Sequence, residues 1–134
     1  MVIRHAEDLL NAYYTALESG ESLDGYYVTD EEAGALGPVV KIGSGKGEVY
    51  VGHARVAEAV KGVTKALTEN RLEQRGPRQV RAHEDVAWLA DVVWWSGVAE
   101  GKAFGSLTRW TGVCLRTPRR GWRFLQLHVS EEVD

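Results

Sequence analysis

The feature that most constrains the fold is a change of hydrophobic period near Asn70. Beyond this residue apolar side chains recur at about every second position, which is the spacing of a β-strand. Four segments show it: 72–84, 86–99, 103–116 and 122–131. Glu100-Gly101 and the stretch 117–121 are typical hairpin turns, whereas Gly76-Pro77 predicts either a bulge in the first segment or a late strand start near Arg78. The second half is therefore predicted to be an antiparallel sheet of long hairpins.

Two amphipathic helices are predicted before Asn70. In 6–17 the apolar residues lie at helical spacing, and Gly20 supplies the left-handed residue that commonly closes a helix, so the helix should end near Ser19. In 53–68 valine and leucine recur at similar spacing and predict the second helix.

The region between these helices carries weaker signals. Residues 23–28 predict a short helix or a turn, and the glycine-rich stretch 30–47 predicts loops around one strand, 38–42. A second short strand, 48–51, is expected to pair with it across the turn 43–47.

Composition limits the class of protein. With 134 residues, 44% hydrophobic and 26% charged, the chain is predicted to form one globular domain, 1–134. A net charge of −3 argues against a nucleic-acid partner, and the absence of a long apolar run argues against a membrane partner. Cys114 is the only cysteine, which excludes an internal disulfide and a thiolate zinc site. We therefore predict a cytoplasmic protein without a metal or a cofactor.

Both faces of the predicted sheet are apolar. One alternate set in segment 86–99 is Val86, Trp88, Ala90, Val92 and Trp94, and the other is Ala87, Leu89, Asp91, Val93 and Trp95. The last segment is grouped in the same way, with Trp122, Phe124, Gln126 and His128 opposite Leu125, Leu127 and Val129. Because two helices can cover only one face, we predict a homodimer in which a second copy covers the other.

The order of elements and two sequence stretches carry a family resemblance. Residues 107–130, LTRWTGVCLRTPRRGWRFLQLHVS, combine a Thr-Gly-Val strand, a basic turn, and a strand with Trp122 and a His-x-Ser ending at Ser130. Together with NAYYTALESGE at 11–21, this resembles the SnoaL-like proteins of the nuclear transport factor 2-like superfamily. The resemblance implies a cone-shaped α+β fold, in which a curved antiparallel sheet of about six strands, four of them long, packs on two to three helices. It does not specify an activity, because the superfamily includes cyclases, isomerases, dehydratases and association domains.

Three residues are candidates for catalysis. Tyr13 matches the helix tyrosine that ketosteroid isomerases use as an oxyanion donor, and the alternative is a core tyrosine with a local hydrogen bond. Asp91 either points into the cone as a general base, faces solvent, or pairs with Arg109, and the pairing is favoured. His128 either contacts a ligand or holds the strand end or the dimer contact. A steroid-type isomerase is disfavoured, because Lys41 and its neighbours stand where that family places its base carboxylate.

Six residues are predicted to contact a small ligand: Tyr13, Trp88, Arg109, Trp110, Gln126 and His128. Trp88 and Trp110 are expected in the pocket wall and Trp122 in the core, although all the tryptophans could simply fill core and interface. Four arginines cluster at the tip of the last hairpin, and we predict a solvated turn rather than an anion site: Arg116, Arg119, Arg120 and Arg123.

Three functions are compatible with these residues. The first is a homodimeric module that binds a small apolar or aromatic molecule. The second is a cofactor-independent cyclase or isomerase in which His128 or Asp91 moves a proton and Tyr13 or Arg109 stabilises the oxyanion. The third is a dimerisation scaffold without a ligand. An open cone favours the first two, and a cone filled by tryptophan favours the third.

Overall fold

The computed structural model describes residues 1–132, which form three helices and seven strands. In chain order they are α1 (Ala6–Ser19), α2 (Asp30–Ala33), β1 (Val40–Ile42), β2 (Val49–Val51), α3 (His53–Ala66), β3 (Leu67–Gln74), β4 (Gln79–His83), β5 (Val86–Ala99), β6 (Lys102–Thr117) and β7 (Gly121–Glu131). The strands form one curved, open sheet in the order β2-β1-β7-β6-β5-β3, and β4 also pairs with β5. Among the strand pairs formed within residues 1–132, β1–β7 is parallel and the others are antiparallel, so the sheet is mixed. The predicted α+β fold is confirmed, with seven strands.

Helix α1 begins and ends as its sequence predicts. Its apolar face, including Leu9, Leu10 and Leu17, is buried against the sheet. The chain leaves the helix at Gly20, whose φ of 69° is left-handed, and the amide of Glu21 donates to the Ala16 carbonyl. This helix supplies two tyrosines to the core.

A helical turn interrupts the stretch 30–47 that was predicted to be loops around one strand. Helix α2 begins with a capping box in which the Glu32 amide donates to Thr29 Oγ1, and the Thr29 amide donates to Glu32 Oε1. The pattern Thr-x-x-Glu is a known signal for the start of a helix, and residues 29–32 carry it. The strand and hairpin predicted after it are confirmed as β1 and β2.

The predicted segment 72–84 is two strands rather than one. Strand β3 starts at Leu67, directly after α3, and β4 follows a break at Gly76-Pro77. Both pair with the long strand β5. Gly76 packs tightly on Val92, since a Cβ at this glycine would lie 2.9 Å from the valine Cβ. The break is therefore a bend between two strands that both pair with β5.

The two faces of the sheet differ in burial. The inner face packs on α1 and α3 and contains Ala87, Leu89 and Val93 of β5, all buried. The outer face exposes large apolar side chains: Val49, Val51, Val86 and Trp88. Trp122 is buried, as predicted.

None of the helices within residues 1–132 combines the length and the apolar character that a membrane span requires.

The basic turn between β6 and β7 is less solvated than predicted. Arg120 pairs with Glu32 at 2.6 Å and also donates to the carbonyls of Gly25 and Tyr27. Arg123 is buried and donates to the Met1 carbonyl. The prediction of a solvated turn is wrong for these two arginines, because the turn packs on α2 and on the N-terminal segment.

The Arg120–Glu32 pair predicts a pH dependence of stability. Hydrogen bonds from Arg120 lower the pKa of Glu32 to about 2. Since this pKa is below that of the unfolded chain, the pair stabilises the fold above about pH 4.3, and that contribution is lost as the pH falls towards 2. We expect Glu32→Gln to lower the free energy of unfolding at pH 7 by about 1–2 kcal/mol. It should also flatten the pH dependence of urea unfolding in this acid range.

The matched control is Glu31→Gln, which changes the exposed neighbour. Equal acid slopes for wild type and Glu32→Gln would contradict the assignment.

Candidate functional site

A cavity of about 310 Å³ opens between the inner face of the sheet and helices α1 and α3. Four aromatic rings contribute to its wall: Tyr13, Trp95, Phe104 and Trp110. Aliphatic side chains complete the wall: Leu17, Val63, Leu67, Ala99 and Val129. The polar lining residues are Lys41, Ser44, Ser106, Glu48 and Glu131. The cone is therefore open, and its wall is mostly apolar.

The tryptophans of the wall are held by hydrogen bonds to protein groups. The Trp110 indole N–H donates to Thr108 Oγ1 at 2.8 Å, and the Trp95 N–H donates to Asn70 Oδ1 at 2.9 Å. The two rings lie 5.9 Å apart, and Phe104 packs edge-on against Trp95. Because both N–H groups are already satisfied, the rings offer a fixed apolar surface to a ligand.

Tyr13 brings a hydroxyl to this region. Its Oη lies 2.6 Å from the Oη of Tyr27, and burial raises the pKa of both phenols. The local hydrogen bond predicted as the alternative for Tyr13 is thus present. The two hydroxyls share one hydrogen bond, and within residues 1–132 their second hydrogen has no acceptor. The pair can therefore still donate once.

Lys41 is the cation of the cavity lining. It lies on β1 opposite Leu127 of β7, and this register places it on the inner face. Burial lowers the pKa of Lys41, and the charge of Glu48 acts in the opposite direction. The Lys41 ammonium makes neither a hydrogen bond nor an ion pair with any residue in the range 1–132. The sequence did not identify it as a site residue, although a lone lysine in the apolar strand 38–42 was a signal.

The β1–β2 turn lies at the same place and holds Glu48. Glu48 Oε2 accepts a hydrogen bond of 2.7 Å from the Gly45 amide. A Cβ on Gly43 or Gly45 would lie too close to this carboxylate in its present position, so the turn and Glu48 are packed tightly together.

Asp91 lies on the inner face but does not line the cavity. Its carboxylate accepts from Arg78 Nε at 3.0 Å and from the Tyr14 hydroxyl at 2.8 Å. The predicted pairing with Arg109 is wrong, because adjacent strand residues point to opposite faces and Arg109 pairs in register with Val92. Arg109 instead donates to the Glu131 carbonyl.

Of the predicted ligand contacts, Tyr13 and Trp110 line the cavity. Trp88, Arg109, Gln126 and His128 do not, and they lie together on the outer face. Trp88 is 48% exposed, so its prediction as a wall of this pocket is wrong. The catalytic roles of His128 and Asp91 stay predictions, with neither residue in the cavity wall.

A β-bulge explains the position of His128. Phe124 pairs with Cys114 and Gln126 with Val113, so Leu125 is an extra residue in β7. The alternate set that starts on the inner face with Trp122 and Phe124 therefore continues on the outer face with Gln126 and His128.

The side chains also bear on metal binding and on thiol chemistry. Within the described range 1–132, no group of three or more His, Cys, Asp or Glu side chains is arranged to hold a metal ion. Cys114 is buried, and burial raises the pKa of its thiol to about 12, which keeps it protonated at neutral pH.

The model of the SnoaL-like domain family matches residues 6–133. A provisionally assigned dehydratase of the NTF2-like family from Streptomyces avermitilis superposes with a TM-score of 0.83 at 20% identity, over 96% of this chain and 94% of the other. An aromatic ring hydroxylase from Novosphingobium aromaticivorans, also provisional, gives a TM-score of 0.76 at 22% identity, over 96% and 87%.

A provisional calcium/calmodulin-dependent protein kinase II association domain from Xanthomonas campestris gives a TM-score of 0.75 at 18% identity, over 96% of this chain and 86% of the other. These identities are low, so the structural likenesses establish the fold alone. No curated protein matches the chain.

Proposed function

This chain belongs to the SnoaL-like domain family, and we propose that it binds a small, largely apolar molecule with a flat aromatic body. The observation that carries the proposal is the open cavity of about 310 Å³ between fixed rings. This volume is at the lower end of the range of ligand pockets, roughly 300–1,000 Å³. A molecule of two or three fused or linked rings has suitable size and shape.

The other two functions receive less support. A pure scaffold needs no cavity, and here the tryptophans leave one open. The predicted acid–base mechanism needs His128 or Asp91 beside the substrate, and both lie outside the cavity wall. Neighbouring folds carry provisional enzyme names, so an enzymatic role remains the second candidate, with a different reactive residue.

Filling the cavity should abolish ligand binding. We expect Ser106→Phe to place a ring against Trp95 and raise the dissociation constant of N-phenyl-1-naphthylamine at least about tenfold, which corresponds to about 1.4 kcal/mol. The measurement is the fluorescence of this neutral probe, which increases in an apolar environment.

Ala103→Phe is the matched control, because Ala103 is exposed on the same strand and outside the cavity. Equal probe affinity in wild type and Ser106→Phe, with both proteins folded, would contradict the proposed site.

We also propose that the protein is a homodimer formed through the outer sheet face. The outer row of β1 and β2 adds Val40 and Ile42 to the exposed Val49 and Val51, and Val86 and Trp88 of β5 form a second apolar area on the same face. Arg109, Gln126 and His128 lie between these two areas. A twofold contact uses one patch on both copies, and an apolar sheet face meets this requirement. A cytoplasmic location is also a proposal, and it is based on the single cysteine, which cannot form an internal disulfide.

The dimer predicts an effect of charge on this face. In light scattering at micromolar concentration, we expect wild type to have twice the mass of a monomer and Trp88→Glu to be monomeric, because the carboxylate would be desolvated in the interface. Arg119→Glu, in the exposed β6–β7 turn, should leave the mass unchanged. A monomeric wild type would overturn this proposal without affecting the cavity.

A further inference from the structure

We propose that Lys41 captures a neutral aromatic aldehyde or ketone in the cavity as a reversible imine. This inference rests on the proposed function, since it requires that the cavity admits an aromatic molecule, and it adds the class of ligand and the residue that bonds to it.

The position of Lys41 distinguishes it from the other lysines of the chain. Lys46, Lys61, Lys65 and Lys102 are exposed, whereas Lys41 is partly buried and lines the cavity. Its amine has no protein partner within residues 1–132, so no hydrogen bond or ion pair must be broken before it reacts. A lysine desolvated beside apolar walls is a recognised form of activated amine nucleophile. Burial lowers the pKa of Lys41 because it disfavours the ammonium form, and this shift favours the neutral, nucleophilic amine.

The charges around the cavity favour a neutral carbonyl compound over a carboxylate. Lys41 shares the lining with two acids, Glu48 and Glu131. A carboxylate ligand would gain one attraction but would meet the like charge of the partly buried Glu48 and, at the exposed rim, that of Glu131. An aldehyde or a ketone meets no such repulsion, and its aromatic body can lie against Trp95 and Trp110.

The chemistry balances without an oxidant, a reductant or a metal. The Lys41 Nζ lone pair attacks the carbonyl carbon and forms a C–N bond, and the C=O π electrons move to oxygen, which takes a proton. The nitrogen loses a proton in the resulting carbinolamine. The hydroxyl group then leaves with the remaining N–H proton as water, the C–O bond breaks, and the nitrogen electron pair forms the C=N bond. The net reaction converts an amine and a carbonyl to an imine and one water, and hydrolysis reverses it.

Reductive trapping tests this inference. The full chain is incubated with 2-naphthaldehyde and sodium cyanoborohydride at pH 7, and the modified lysine is identified by peptide mass spectrometry. We expect labelling of Lys41 to be at least about tenfold faster than labelling of any exposed lysine. The preference should decrease as the pH approaches 10, because exposed lysines then become neutral as well. The titratable groups that line the cavity with Lys41 are Glu48, Glu131 and Tyr13.

Lys41→Arg keeps the charge and removes the reactive amine. It should abolish the selective adduct, and urea unfolding of the variant shows whether the fold is intact. Lys46→Arg, in the adjacent exposed turn, should keep both the Lys41 adduct and probe binding.

Equal labelling of all lysines, or no adduct while the naphthylamine probe binds, would overturn the imine and leave the cavity proposal standing. The imine proposal would also be overturned if 2-naphthoate bound more tightly than 2-naphthaldehyde and Lys41→Met lost this preference. Lys41 would then act as the charge partner of a carboxylate. Failure of the probe to bind wild type, together with the absence of an adduct, would remove both proposals.

Discussion

Replacement of Asp91 by alanine is expected to lower the free energy of unfolding by about 3–5 kcal/mol. The Asp91 side chain is 0% exposed, and its partner Arg78 is 14% exposed. Without the carboxylate, the guanidinium keeps its contacts with Asn11 and with the exposed Glu7 of α1 but loses its buried counter-charge. The Tyr14 hydroxyl loses its acceptor. Removal of one member of a buried pair is costly because the other charge stays desolvated.

The chain contains a matched control for this prediction. Asp85 also pairs with an arginine, Arg116, at 2.7 Å, but its side chain is 64% exposed and that of Arg116 is 54% exposed. We expect Asp85→Ala to cost no more than about 1 kcal/mol in urea unfolding at pH 7, since water replaces the lost partner. Equal costs for the two variants would show that Asp91 does not carry a buried ion pair.

Replacement of Trp110 by alanine is expected to cost about 3–5 kcal/mol as well. Trp110 is 1% exposed, and its ring lies 5.0 Å from Tyr14 and 6.2 Å from Tyr13. Its removal enlarges the ligand cavity and takes one packing partner from each of these two rings. The same variant should therefore weaken binding of N-phenyl-1-naphthylamine.

Trp110→Phe separates packing from hydrogen bonding. It retains most of the ring but removes the donor to Thr108, so we expect a loss of about 1–2 kcal/mol in the same unfolding measurement. A loss below 1 kcal/mol for Trp110→Ala would contradict the role of this tryptophan as the centre of the cavity wall.

The sequence predicted the elements better than the direction of the side chains. Helix α1 and the long hairpins follow from period, turn residues and Gly20, all of which are local signals. In β5 both alternate sets are apolar, and so periodicity could not tell which set meets the helices. Trp88 was consequently expected in the pocket, where the structure places Trp95 instead.

Two site features depend on non-local geometry. The bulge at Leu125 places His128 on the outer face of the sheet, and the bulge arises only when β7 pairs with β6. Lys41 enters the cavity because β1 adds to β7 in parallel, a pairing across many residues that no local pattern specifies. Arg78 likewise finds Asp91 only after β4 has paired with β5.

The central claim is that the cavity holds an aromatic ligand, and the most direct test is a crystal structure of the protein with N-phenyl-1-naphthylamine. We predict density for the probe between α1, α3 and the sheet, in contact with Trp95 and Trp110. Density for the probe only on the outer sheet face, with water or side chains filling the cavity, would contradict this claim.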